Sequence, residues 1–411
     1  MSIEEKALEI INNWPSTKVE YGNGKLKETG ALVKEFGRKA LIVIGQGSVK
    51  RNGYLETLQK SLDKVEITYD LFEGVEPNPS KETVEQIAEK WKNFKADFAI
   101  GLGGGSAMDA AKAAAILVTL DEDDISPYFG VQQATEALRG KSLVPCICIP
   151  TTSGTSAEVT KYSNVTVDAL GVKKLIVDTA IIPPLAIVDP ELTLSCPAQL
   201  TATVGLDTLT HSMEGYLNCV HDEGNEDANE RALISIELIT KYLLKAVKDG
   251  NDLTAREMMS RACVLGGTVI VHKSTGGPHM NSFSWYDVMP HGQATGVMLP
   301  YYTVYYAKNP KVAEKLEPIA EMFGLEKDDQ SGLKVGEAML KWYEDMGFKT
   351  KLSDYEGFTE EMVNKAVKDA AENAMKLKAM PQPIPEDRKN EILKTIIEGA
   401  KDGELKKIAE L

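Results

Sequence analysis

The hydrophobic period of this sequence changes near residue 190. Before that point short apolar runs alternate with helix-period segments, the pattern of parallel strands joined by crossover helices. ALIVI (40–44), EITYDLF (66–72), DFAIGL (97–102), VPCICI (144–149) and LAIV (185–188) read as strands, and KETVEQIAEKWKNF (81–94) reads as a helix between two of them. After DPELTLSCP (189–197) strand-like runs become rare. Long amphipathic stretches take over, such as EDANERALISIELITKYLLKAV (226–247) and EDRKNEILKTIIEGA (386–400). Pro183, Pro184 and Pro190 punctuate the change. The expectation is an α/β domain with a parallel sheet over residues 1–190 and an all-α domain over residues 191–411.

A chain of 411 residues, 43% of them hydrophobic, can bury large cores. Its 46 basic and 61 acidic residues give a formal charge of -15, which argues against nucleic-acid or anionic-membrane partners. Any phosphate site must therefore be local. Five cysteines, at 146, 148, 196, 219 and 263, include no C-x-x-C pair and read as buried free thiols in a reducing compartment. The opening MSIEEKALEIINNW lacks the basic and apolar regions of a signal peptide, and no run of 18 apolar residues occurs. A soluble cytoplasmic protein is expected.

In DFAIGLGGGSAMDAAKAAAILV an apolar strand runs through Gly103, Gly104 and Gly105 into an alanine-rich helix. Glycines let backbone approach a ligand closely, and the N–H groups and dipole of the helix start favour an anion such as a pyrophosphate. The same residues also read as an ordinary turn in which Ser106 is the N-cap and Asp109 completes a capping-box-like pair. A second polar loop, GQGSVKRNG (45–53), follows the first strand with Gly47, Ser48, Lys50 and Arg51 but no acid. Hydroxyls and cations there welcome a 2′-phosphate, which favours NADP(H) over NAD(H), although a solvated basic loop has the same composition. PTTSGTSAEVT (150–160) forms a third, hydroxyl-rich turn.

Asp207 and His211 stand four apart in the helix-period stretch TVGLDTLTHSMEGYL, on one face and one turn apart. They can share a cation or simply pair with each other. His279 and His291 are twelve apart, and one straight helix would aim their rings about 120° apart. Convergence on one point requires separate elements, or a helix and its following loop. Four nitrogen and oxygen donors with one carboxylate and no thiolate suit Fe²⁺, Zn²⁺, Ni²⁺ or Co²⁺ alike, since affinity alone does not choose among them. His221 reads as a surface-loop residue and His272 as part of an apolar helix.

GGGSAMDAAK, PTTSGTSAEVT, GLDTLTHSMEGYL and PHGQATGVMLP, in this order and at these separations, resemble the motifs of the iron-dependent (group III) alcohol dehydrogenases. The resemblance extends from KVEYGNG (18–24) and VEPNPS (75–80) to the C-terminal helices. It implies a dinucleotide-binding α/β domain and then an all-helical metal-binding domain, the fold shared with dehydroquinate synthase, with the active site in the cleft between them. It further implies that Gly103, Gly104, Gly105 and Ser106 bind the pyrophosphate and that Asp109 lies near the ribose. Asn78 would lie on the adenine side, Thr151, Thr152 and Thr155 along the nucleotide groove, and Lys173 would reach the cofactor. The implied metal ligands are Asp207, His211, His279 and His291, and the loop carrying Gly47 and Ser48 resembles that of NADP-using members. Two departures stand beside the site. The segment from His279 to His291 is two residues shorter than the family pattern, and Phe283 occupies a position where many members carry a second histidine.

The activity implied is interconversion of a primary or small alcohol or diol with its aldehyde or ketone, by a homo-oligomer, a dimer being the first expectation. Met280, Phe283, Trp285 and Tyr286 are candidates for a substrate wall or for core packing. Alternatives are a polyol dehydrogenase of the glycerol dehydrogenase type, a non-catalytic nucleotide-binding protein, and a phosphate-eliminating synthase. The last would want more basic residues near the metal than Lys273 alone.

Overall fold

The computed structural model describes residues 1–167, 172–286, 288–326 and 331–411. The chain divides into two compact units, Met1–Cys196 and Pro197–Leu411.

The first unit is built on strands β1 (Lys18–Tyr21), β2 (Lys39–Gly45), β3 (Thr68–Val75), β4 (Phe98–Gly103), β5 (Gly130–Val131), β6 (Cys146–Pro150), β7 (Tyr162–Val167), β8 (Val172–Val177) and β9 (Leu185–Val188). Six form a parallel sheet in the order β1-β9-β6-β4-β2-β3. Burial on both faces explains its continuous apolar runs. On β2, Leu41 and Val43 join one core with Ile87 and Trp91, while Ala40, Ile42 and Ile44 join the other with Leu58 and Leu62. The expected strands are all present; LAIV keeps its bounds and the other four shift at their ends. EITYDLF pairs only from Thr68, because Glu66 adopts a left-handed φ of 58° in the preceding turn. The expected helix spans Lys81–Phe94, and its N-cap Ser80 accepts the N–H of Thr83 at 3.1 Å.

Four strands have no apolar run to mark them. β1 is a polar edge strand, and β5, β8 and β7 form a small separate sheet. Because β2 lies between β3 and β4, the chain reverses its direction across the large sheet at β2. The carboxyl ends of β2, β4 and β6 therefore stand side by side, the place where open α/β sheets bind ligands.

The second unit contains no strand among its described residues. Helix Ala198–Leu217 is buried along nearly its whole length from Thr201 onward, so its polar side chains must find internal partners. Thr208 and Ser212 donate to carbonyls four residues back. EDRKNEILKTIIEGA starts as a tight turn, Glu386–Arg388, before helix Lys389–Asp402. No described helix is long and apolar enough to cross a membrane.

Candidate active site and cofactor cradle

In the first unit the expected cofactor residues of β4 and β6 meet. The N–H of Thr151 donates to Gly103 O at 2.8 Å, and Gly105 faces the Thr155 side chain so closely that no β-carbon fits between them. Helix Gly105–Leu120 is capped by Gly104 without a side-chain hydrogen bond. The expected capping pair of Ser106 and Asp109 is thus not formed. Ser106 Oγ accepts the N–H of Asn78 at 3.2 Å, and Asp109 Oδ2 accepts that of Asn164 at 3.0 Å. Burial pushes the Asp109 carboxyl up, opposed by Lys112, the Asn164 N–H and Lys173. A helix start whose N–H groups receive no capping side chain, beside glycine backbone, can cradle an anion.

Asn78, with a left-handed φ of 55°, links the cradle to the small sheet, since its Oδ1 accepts from Lys173 Nζ at 3.1 Å. Lys112, which the sequence reading passed over, is fully buried. Its ammonium donates to the carbonyls of Ala157, Thr160 and Tyr162 at 2.9, 2.8 and 2.7 Å, tying the end of the hydroxyl-rich turn to the cradle helix. At the end of β2, Gly47 precedes the short helix Ser48–Arg51, and Lys50 is ion-paired with Glu73 of β3. The acid missing from the local sequence is therefore supplied by a neighbouring strand.

In the second unit Asp207, His211, His279 and His291 converge. Asp207 and His211 share one face of Ala198–Leu217. His279 lies on helix Gly277–Ser282 and His291 opens helix His291–Tyr306, so the two distant histidines do lie on separate elements. The rings of His211 and His279 stack at 4.7 Å, and those of His279 and His291 meet edge-on at 5.4 Å. Asp207 Oδ1 is 3.8 Å from His279 Nε2 and 3.7 Å from His291 Nε2. These separations exceed a hydrogen bond, whereas two donors each about 2.1 Å from one cation stand no more than about 4.2 Å apart.

One donor atom each from Asp207, His211 and His279 lies within 4.8 Å of the others, and the buried Nδ1 of His211 has no hydrogen-bond partner among the described residues. Burial works to raise the Asp207 carboxyl, yet the three imidazoles and the hydroxyl of Thr295, 2.9 Å away, hold it below its ordinary value. A buried carboxylate kept ionised among imidazoles is a donor set that fits a divalent transition metal.

Two contributors escaped the sequence reading. Thr295 orients Asp207, and Glu214 extends the Asp207–His211 face by a further turn, its carboxylate bonded to His279 Nδ1. Burial pushes the Glu214 carboxyl up, with Lys376 opposing it. Of the wall candidates, Met280 and Trp285 belong to the core. The Trp285 indole donates to Met362 O, while Phe283 and Tyr286 are half-buried. His272 is the exposed last residue of helix Leu253–His272, and His221 lies in a turn against Asn218.

Two family models match the chain: iron-containing alcohol dehydrogenase over residues 16–190, and the C-terminal part of the Fe-containing alcohol dehydrogenase family over residues 201–397. The chain is 32% identical to alcohol dehydrogenase 4 of Schizosaccharomyces pombe, over 85% of this chain and 82% of that one. It is 36% identical to an NADPH-dependent butanol dehydrogenase of Clostridium saccharobutylicum, over 75% and 76%. Its fold matches that of an iron-containing alcohol dehydrogenase from Thermotoga maritima with a TM-score of 0.79 at 31% identity, covering 94% of this chain and 99% of the other. With its parallel-sheet unit, its helical unit and this donor set, the chain belongs to the iron-containing alcohol dehydrogenase family and is an alcohol oxidoreductase.

Proposed function

We propose that Asp207, His211, His279 and His291 hold Fe²⁺, with residues 191–411 as the metal-binding domain and residues 1–190 as the NADP(H)-binding domain. The observation that carries this reading is the convergence of a buried carboxylate with imidazoles. Asp207 Oδ1 stands 3.8 Å from His279 Nε2 and 3.7 Å from His291 Nε2, too long for hydrogen bonds and within reach of a shared cation, and a donor atom of His211 lies within 4.8 Å of those of Asp207 and His279. When bound there, such a cation supplies Lewis-acid polarisation of an alcohol or carbonyl oxygen. Hydride transfer is nicotinamide chemistry, and the chain contributes binding and orientation. Gly103, Gly104, Gly105 and Ser106 bind the pyrophosphate, and Asp109 sits beside the ribose. Asn78, Thr151, Thr152, Thr155 and Lys173 frame the nucleotide.

NADP(H) is favoured because Ser48 and Arg51 offer a hydroxyl and a cation at the end of β2, while the nearby Glu73 is held by Lys50. The NADPH-dependent butanol dehydrogenase to which the chain is similar fits the same preference and a small primary alcohol as substrate. Five free thiols fit a reducing, cytoplasmic setting.

The test is alcohol-dependent absorbance at 340 nm with ethanol, 1-butanol and 1,3-propanediol, using anaerobically Fe²⁺-loaded protein and either nucleotide. Turnover with NADP⁺ that a chelator abolishes and Fe²⁺ restores is expected, and Ser48→Asp should shift preference toward NAD⁺. Reduction of neither nucleotide with any alcohol would contradict the dehydrogenase reading, and far better turnover with NAD⁺ would contradict the cofactor assignment.

A further inference from the structure

Asp207, His211 and Glu214 recur at helical spacing on one face of Ala198–Leu217, but Glu214 lies behind the donor set rather than in it. Its side chain is 1% exposed, and both carboxylate oxygens are engaged. Oε2 is bonded to His279 Nδ1, and Oε1 accepts the N–H of Gly276 at 2.7 Å. The carbonyl on the other side of that same peptide group, Thr275 O, accepts from Lys376 Nζ at 3.1 Å, and the Thr275 hydroxyl bonds to the same ammonium. Lys376 is only 7% exposed and belongs to helix Ala374–Lys378. Only glycine fits at this position, because a β-carbon on Gly276 would stand 2.7 Å from Tyr306 Oη and 3.4 Å from Glu214 Oε1.

The result is a continuous chain of groups: ammonium, peptide, carboxylate, imidazole. A cation on Thr275 O polarises the peptide and strengthens the N–H donated to Glu214. A carboxylate engaged with Nδ1 keeps the imidazole proton there and leaves Nε2 as the lone-pair donor. His279 Nε2 is the atom 3.8 Å from Asp207 Oδ1.

We propose that Glu214, balanced by Lys376 through the Thr275–Gly276 peptide, is a positioning residue that fixes the tautomer and aim of His279 and so sets the affinity of the metal centre. The proposal rests on the reading of His279 as a ligand. It makes a lysine from the C-terminal part of the chain a determinant of metal binding although it touches no ligand.

Co²⁺ is the probe for the test, with affinity from chelator competition, the visible d–d spectrum as the geometric signature and urea midpoints of the metal-free proteins as the control. The full chain is compared with His279→Ala, Glu214→Gln, Lys376→Met and the double variant Glu214→Gln/Lys376→Met. His279→Ala should lose the tetrahedral spectrum. Glu214→Gln should weaken Co²⁺ binding about 10- to 100-fold, as loss of a histidine's supporting carboxylate does. Lys376→Met leaves a buried carboxylate without its counter-charge and should lower both midpoint and affinity. The double variant should regain the midpoint of the wild type but keep the weak affinity, which a purely structural ion pair would not do. Wild-type affinity in Glu214→Gln or in the double variant, with binding lost in His279→Ala, overturns the positioning role alone. Wild-type affinity in His279→Ala overturns the ligand reading and the proposal with it.

Discussion

Gly105 faces Thr155 so closely that a β-carbon on the glycine would stand 2.7 Å from both Oγ1 and Cγ2 of the threonine. The glycine turn after β4 and the threonine turn after β6 are therefore built as one surface, and the cradle's shape depends on the absence of one methyl group.

Gly105→Ala should force these turns apart. Overpacking of this kind costs about 1–3 kcal/mol, which, expressed in cofactor binding, is about a 5- to 150-fold loss. NADPH fluorescence titration checks it. Adding Thr155→Ala removes the two atoms at 2.7 Å and should recover most of the affinity. Unchanged NADPH affinity in Gly105→Ala would exclude this surface as the cofactor cradle.

Lys112→Met should destabilise the first unit, because three inward-facing carbonyls lose the ammonium that binds them. An expected loss of about 3 kcal/mol follows from leaving such groups unsatisfied. Urea unfolding measures it, and a loss below about 1 kcal/mol would mean that water replaces the lysine at little cost.

Asp222 supplies a pH-dependent increment. Burial alone would raise its carboxyl, but hydrogen bonds from Lys273 and Lys315, each at 2.6 Å, and from Asn229 hold it down at about 2. A folded-state pKa below the unfolded value of about 3.9 stabilises above that unfolded value, and the gain disappears as pH falls through the folded one. Asp222→Asn should therefore cost about 2 kcal/mol at pH 7. The gap from wild type should narrow below about pH 4 and close near pH 2. A gap independent of pH between 7 and 2.5 would show that the charge is not what matters.

Much of this was legible in the residues. Apolar runs such as LAIV mark strands because the parallel sheet is buried on both faces, and the Asp207–His211 spacing marks a shared helix face. The ring-angle argument for His279 and His291 requires separate elements, and a tight turn at Phe283–Trp285 does divide their helices. What escaped depends on contacts distant in sequence. YSNVTV and VKKLIV are too polar to announce strands until they pair in a separate small sheet. Lys112 and Lys376 look like solvated lysines, and only the fold reveals the carbonyls that bury them. Glu214 was within reach as the next turn of the Asp207–His211 face, but a helical glutamate ordinarily faces water. Ser106 looked like a cap because the hydroxyl's other partner, the N–H of Asn78, lies on a different turn.

The most direct test of the metal assignment is the iron retained per chain after anaerobic Fe²⁺ loading and desalting, for wild type and Asp207→Ala of equal urea midpoint. Asp207 stands 3.8 and 3.7 Å from two of the three imidazoles and within 4.8 Å of the donor atom of the third, so its loss opens the site. About one ion per chain in the wild type and far less in the variant is expected for a four-ligand centre. No retained ion in the wild type, or equal retention in both, would contradict it.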